Sequence, residues 1–178
     1  MDNFSPSRIW IMRLVYIGIA LAILFFQLLP LDARPSRWAG PDFLLAMTLA
    51  WTLRRPDYAP ALLVALVMLL ADLLLQRPPG LLAALTVAAS AFLRNRLSGQ
   101  GETGFIGEWI SVSVVLIALA LFYRLTLIAT AVDRAPLTLA ASQVVLTILC
   151  YPAVVAASQT LFGVRRLTPS DAEALGAR

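Results

Sequence analysis

The chain has 178 residues, of which 60% are hydrophobic and 13% are charged. Soluble domains carry roughly a quarter of charged residues, so this composition excludes a water-soluble protein and predicts one polytopic membrane domain over residues 1–178. The net charge of +4 comes from arginines near the ends of apolar segments, which favours membrane lipids over nucleic acid as partners. With no His and a single Cys150, zinc sites and His-based acid–base chemistry are excluded, and no cofactor is expected.

Six apolar segments follow one another along the chain, and we predict that each is a transmembrane helix, which makes an all-α membrane protein. The first segment, residues 9–31, is longer than the roughly 7–15 residues of a signal-peptide core, so we expect it to be retained. The second and fourth spans are short, and the second could instead be re-entrant. The remaining five segments are residues 41–53, 58–75, 80–93, 109–132 and 137–162.

Proline, glycine and charged residues separate these segments. Pro78, Pro79 and Gly80 predict a tight hairpin turn between the third and fourth helices, because two consecutive prolines cannot continue a helix. The polar connection at residues 94–108 is rich in glycine and is expected to be flexible, and residues 163–178 are expected to form a short cytoplasmic tail. The other expected breaks are Pro30, Pro35 and Gly40, the turn at residues 54–57, and the turn at residues 133–136.

The distribution of arginines predicts the orientation in the membrane. If the N-terminus is inside, nine arginines lie on the inner side and five on the outer side, so the positive-inside rule places both termini in the cytoplasm. Trp10, Trp38, Trp51 and Trp109 all lie near predicted helix ends, where tryptophan is typical of a membrane interface.

Asp72 and Arg124 are charged residues that lie inside apolar segments. At about 1.5 Å of rise per residue, both lie roughly 20 Å from the cytoplasmic ends of their helices, and therefore at the same level. One interpretation is that they form an intramembrane ion pair. The other is that Arg124 reaches the outer interface while Asp72 caps the hairpin or reaches head-group water.

Gln143 lies near the level of Asp72, and Gln27 and Asp42 lie slightly further out. Together these side chains predict a polar layer in the outer half of the bundle, either a network or a small cavity, that stabilises the bundle or binds a partner. Asp42 and Asp72 come from neighbouring helices, but neither lies in a sequence context typical of an intramembrane aspartyl protease. The serines lack any His or Lys that could act as a base. We therefore expect no enzymatic activity.

Three features of residues 41–96 resemble a known family. Pro41-Asp42 opens the second helix, Arg55-Pro56 follows it, and Leu-Leu-Ala-Asp-Leu-Leu at residues 69–74 is followed by Gly80-Leu81 and Ala84-Leu85. This pattern resembles the rod shape-determining protein MreD, which the chain also resembles in length and number of spans.

The resemblance implies a non-catalytic scaffold of the cell-wall elongation complex in the bacterial inner membrane. Its expected partners are an MreC-like periplasmic protein and, through it, the MreB filament, the RodA glycosyltransferase and its transpeptidase. The family is also similar in fold to the substrate-binding membrane components of vitamin transporters, a likeness that carries no function.

Two other functions remain open from the residues alone. A transporter binding component would hold a small ligand in the outer cavity and needs several convergent polar side chains. A protein that handles lipids or lipid-linked precursors needs a charged groove open to the bilayer.

Overall fold

The computed structural model describes residues 6–29, 38–98, 104–132 and 136–164. Within these ranges all secondary structure is helical and forms six helices. α1, α5 and α6 are long and apolar enough to cross a membrane, so the part of the chain that the structure describes is helical and fits a membrane protein. The helices are α1 (Pro6–Leu28), α2 (Phe43–Arg54), α3 (Ala61–Leu74), α4 (Leu81–Ser98), α5 (Phe105–Ala129) and α6 (Leu137–Phe162).

The six predicted segments correspond to these six helices, and the bounds of α6 agree at both ends. The predicted polar connection at residues 94–108 is wrong at both ends. α4 continues through Arg94 and Arg96 to Ser98, and α5 begins at Phe105, before Glu108. A carboxylate is favourable in the first turn of a helix, and a basic residue in the last, so these charges extend the helices rather than ending them.

α2 is the shortest helix and lies at the centre of the bundle. It packs against α6, α4 and α1, and ten of its twelve residues are buried. Each of its polar side chains contacts a neighbouring helix: Thr48 shares a hydrogen bond of 2.9 Å with Tyr16 of α1, and Trp51 donates from Nε1 to Ser158 of α6 at 3.1 Å. Because hydrogen bonds between helices persist where water is scarce, these contacts hold α1 and α6 against α2.

The helices alternate in direction and give the bundle two distinct ends. At the Arg54 end, Arg54 of α2 contacts Glu108 of α5, and Arg13 of α1 donates to the carbonyl of Asp57, before α3. At the opposite end, which we call the cavity end, the amide of Ala39 donates to Ser142 near the start of α6. The chain from Ala39 through α2 to Arg54 therefore runs in one direction from the cavity end to the Arg54 end.

Pro152 lies inside α6, where proline removes one helical hydrogen bond and leaves the carbonyl four residues earlier without its donor. That carbonyl belongs to Ile148, and the indole Nε1 of Trp109 on α5 donates to it at 3.0 Å. The side chain of a neighbouring helix thus replaces the backbone donor that proline lacks, as an apolar environment requires.

Several predicted features fall outside the described residues. They are the breaks at Pro30 and Pro35, the glycines at 99 and 101, the turn at residues 133–135 and the tail from residue 165 onward. α6 ends at Phe162, directly before the predicted tail, and Val164 is fully buried, with its amide donating to the carbonyl of Ser158 at 3.1 Å.

Candidate functional site

Asp72 lies near the end of α3 and is fully buried. Its Oδ2 atom accepts a hydrogen bond from the amide of Ala83, in the first turn of α4, at 3.3 Å. The first amides of a helix have no partner within the helix, so a carboxylate at this position satisfies one of them and complements the positive end of the helix dipole. Asp72 therefore caps the second helix of the hairpin. This agrees with the interpretation from the sequence in which Asp72 caps the hairpin.

The chain leaves α3 through a Schellman motif. The amide of Arg77 donates to the carbonyl of Asp72 at 2.9 Å, the amide of Gln76 donates to that of Leu73 at 3.4 Å, and Gln76 has φ +54°. Pro78 and Pro79 then carry the chain to Gly80, at φ +83°, and α4 begins. The predicted hairpin is present, and its C-terminal motif fixes the position of Arg77.

Asp42 is the N-cap of α2. Its Oδ1 atom accepts from the amide of Leu45 at 3.0 Å, and its own amide donates to the hydroxyl of Thr147 on α6 at 2.9 Å. Its Oδ2 atom lies 3.6 Å from Nη1 of Arg77. Pro41 therefore precedes the N-cap. The sequence had suggested that Pro41 opens the helix, and this prediction is wrong because α2 begins at Phe43.

A cavity of about 470 Å³ lies at the cavity end, between α2, α4, α5 and α6. Thr147 is ten residues into α6, so at about 1.5 Å per residue α2 begins roughly 15 Å below the start of α6. The cavity occupies the space that α2 leaves open. Its polar lining comes from Asp42, Gln76, Arg77, Tyr123, Arg124, Gln143 and Thr147.

The structure brings together three of the five residues predicted for the polar layer. Asp42, Arg124 and Gln143 line the cavity, whereas Gln27 is exposed on α1 and does not line it. Asp72 lies outside the lining, and its Oδ1 atom accepts no hydrogen bond within the described part of the chain.

The predicted ion pair between Asp72 and Arg124 is absent from the salt bridges of the described residues. The Schellman motif places Arg77 at the end of α3, where its amide donates to the carbonyl of Asp72 at 2.9 Å and its guanidinium lies 3.6 Å from Asp42. The shared level of Asp72 and Arg124 fixed one coordinate only and did not bring the two side chains into contact.

A buried ion pair at the Arg54 end was missed by the sequence analysis. Nη2 of Arg54 donates to both carboxylate oxygens of Glu108, at 3.0 and 3.2 Å, and the hydroxyl of Tyr151 on α6 donates to Oε1 at 2.8 Å. All three side chains are buried. The sequence analysis placed Arg54 in the turn at residues 54–57 and Glu108 in the polar connection at residues 94–108. The available signal was an acidic residue directly before an apolar run.

The tryptophans divide between two roles. Trp10 and Trp38 are 64% and 71% exposed, as interfacial residues would be. Trp51 is fully buried, and Trp109 bonds to α6, so these two bind helices together and do not belong to the expected aromatic belt.

Asp42 and Asp72 cap the N-termini of α2 and α4. The arginines and glutamines that line the cavity supply hydrogen-bond donors, and the rest of the lining is mostly apolar. In the part of the chain that the structure describes, no three His, Cys, Asp or Glu side chains converge as metal ligands would. The chemistry this arrangement offers is recognition of a group rich in hydrogen-bond acceptors.

Comparison with known proteins gives no match to any family model, curated protein or solved structure.

Proposed function

We propose that the chain is a non-catalytic scaffold of the bacterial cell-wall elongation complex, of the MreD type, in the inner membrane and required for rod shape. The observation that carries the proposal concerns the stretch with the specific resemblance, residues 41–96. Asp42 and Asp72, two of the three aspartates in this stretch, cap α2 and α4. The pattern thus corresponds to architecture, as expected of a protein whose task is to hold its shape for partners.

The proposed orientation places the Arg54 end in the cytoplasm. Six of the eight arginines in the described residues lie at that end, and the cavity end holds the other two, Arg77 and Arg124. This asymmetry supports an inward Arg54 end under the positive-inside rule, with six crossings and both termini in the cytoplasm. In this orientation the cavity opens toward the periplasm, where an MreC-like protein could bind.

The proposed partners are the MreC-like protein and, through it, the MreB filament, RodA and its transpeptidase. Exposed helix faces support this proposal: the outward face of α3 carries leucines, among them Leu62 at 74% and Leu73 at 58% exposure. In a membrane such faces contact lipid or the helix of a partner by close packing.

Depletion and co-purification test this proposal together. Depleting the chain from its rod-shaped host is expected to give round cells, and the tagged chain solubilised in mild detergent is expected to recover the MreC-like protein. The variants E108A and R96A form a matched pair, because Glu108 is buried in the ion pair whereas Arg96 is exposed. E108A should lose partner recovery and rod shape, and R96A should keep both.

A substrate-binding component of a small-molecule transporter is the second candidate, and the cavity of about 470 Å³ is the observation that favours it. Small-ligand sites commonly occupy about 300–1,000 Å³. Rod-shaped cells after depletion, together with a stoichiometric small molecule and no MreC-like protein in the purified material, would replace the scaffold proposal with this one.

A further inference from the structure

We propose that the cavity between α2, α4, α5 and α6 binds an amphiphile that has one phosphate or carboxylate head group and an apolar tail. This inference stands independently of the proposed function, because it rests on the cavity alone.

The lining offers cationic donors to an anion. Arg77 and Arg124 come from different elements and both line the cavity, and Asp42 lies beside Arg77. The acceptors of Asp42 are already in use, because Oδ1 accepts from Leu45 and Oδ2 lies beside Arg77. The amide of Leu45 is likewise taken, so the start of α2 does not itself supply the anion site.

Arg77 has hydrogen-bonding capacity to spare. Its ion pair with Asp42 spans 3.6 Å, and within the described residues its guanidinium makes no hydrogen bond. A guanidinium carries five N–H donors in a planar fork that fits the two oxygens of a carboxylate or phosphate. An anionic head group would therefore find a fixed, half-buried donor set on Arg77.

The backbone beside Arg77 is held in an uncommon conformation. Gln76 occupies the left-handed position of the Schellman motif, with φ +54°, where glycine is usual. A non-glycine residue there is uncommon and is costly relative to glycine. The retained side chain is an amide that lines the same cavity, which gives the site another donor at the cost of backbone strain.

The rest of the lining favours a tail. The walls are leucines and valines from every surrounding helix, with Leu45, Leu82, Leu116, Leu119 and Val144 among them. A fully hydrated ion would leave these walls without apolar contacts, whereas an acyl or isoprenoid segment would cover them. The ligand thus combines both features, and a membrane supplies such molecules either as phospholipids or as free single-chain amphiphiles.

Native mass spectrometry of the full chain in maltoside detergent tests the inference with two probes that share a tail. Dodecyl phosphate is expected to bind as one molecule per chain, and dodecyltrimethylammonium at least about ten times more weakly. The variant R77Q should weaken binding of dodecyl phosphate about ten- to a hundredfold. R96Q removes the same charge from an exposed site at the Arg54 end and should change nothing.

A second pair of variants covers the case in which R77Q does not fold. A120L adds volume inside the cavity, and A118L adds the same volume on the same helix outside the lining. A120L should lose binding of dodecyl phosphate while A118L keeps it.

A competition arm identifies the source of the head group. If phosphatidylglycerol displaces dodecyl phosphate and phosphatidylcholine does not, the cavity takes the head of an anionic phospholipid; if neither displaces it, the ligand is a free amphiphile. Equal affinities for the two dodecyl probes, equal effects of R77Q and R96Q, or equal binding by A120L and A118L would overturn the inference.

Discussion

The contact between Trp109 and Ile148 makes a quantitative prediction about how a membrane helix tolerates proline. Replacing Trp109 with Phe keeps an aromatic ring but removes the indole N–H that donates to the Ile148 carbonyl at 3.0 Å. Pro152 has no N–H, so no other donor within α6 can take that place. A partly buried carbonyl left without a partner costs about 1–3 kcal/mol, and we expect W109F to lower the free energy of unfolding by that amount, plus a smaller term for lost packing.

The variant P152A separates the two terms. Alanine restores an N–H at residue 152, which can donate to Ile148 within the helix, so W109F in the P152A background should lose only the packing term. The expected coupling energy is about 1 kcal/mol or more. Reversible unfolding in mixed micelles of mild detergent and dodecyl sulfate, followed by circular dichroism, measures all four proteins of this cycle. The same loss for W109F in both backgrounds would show that the indole does not compensate for the proline.

Three further predictions concern the buried polar groups. E108A should lower the free energy of unfolding by about 3–5 kcal/mol, since it leaves the Arg54 guanidinium buried without its partner; R54L/E108L should recover most of that loss in the same assay. D72A should lower the free energy of unfolding by about 0.5–2 kcal/mol, and D72N by much less, because asparagine also accepts a hydrogen bond from a helix amide. Exchanging the charges of Asp72 and Arg124 should not recover the stability that the single changes lose. A recovery would indicate an ion pair between these two residues. Q76G should raise the melting temperature, because glycine relieves about 1–2 kcal/mol of left-handed strain, and an unchanged or lower value would contradict the assigned conformation.

The arrangement of helices followed closely from hydropathy and turn residues. The six apolar segments correspond to six helices, and Pro-Pro-Gly forms the hairpin turn. The predicted and observed bounds of α6 agree because Pro136 and Gly163 lie directly outside its two ends. The start of α5 did not follow, because Glu108 lies among glycines, where polarity favours a loop. The partner that favours a buried glutamate at that position, Arg54, lies 54 residues earlier in the sequence.

The sequence predicted the depth of the site residues along their helices, but not which side chains contact one another. Rise per residue placed Asp42, Arg124 and Gln143 at similar heights, and they meet at one cavity. It does not give the direction in which each side chain points around its helix. Arg77 was counted only as an outer arginine of the hairpin, yet the Schellman motif turns it toward Asp42.

The central position of α2 has a consequence for synthesis of the chain. α2 emerges second, but the side chains that complete it come much later: Glu108 for Arg54 and Ser158 for Trp51, the latter 107 residues away in sequence. Until α5 and α6 are made, α2 carries an unpaired guanidinium and unmet hydrogen-bond donors. A short helix can remain at the hydrated interface during that interval, since it does not need to span the hydrocarbon alone. The interior of this protein is therefore closed by its last helices, and membrane integration of its core is a late event.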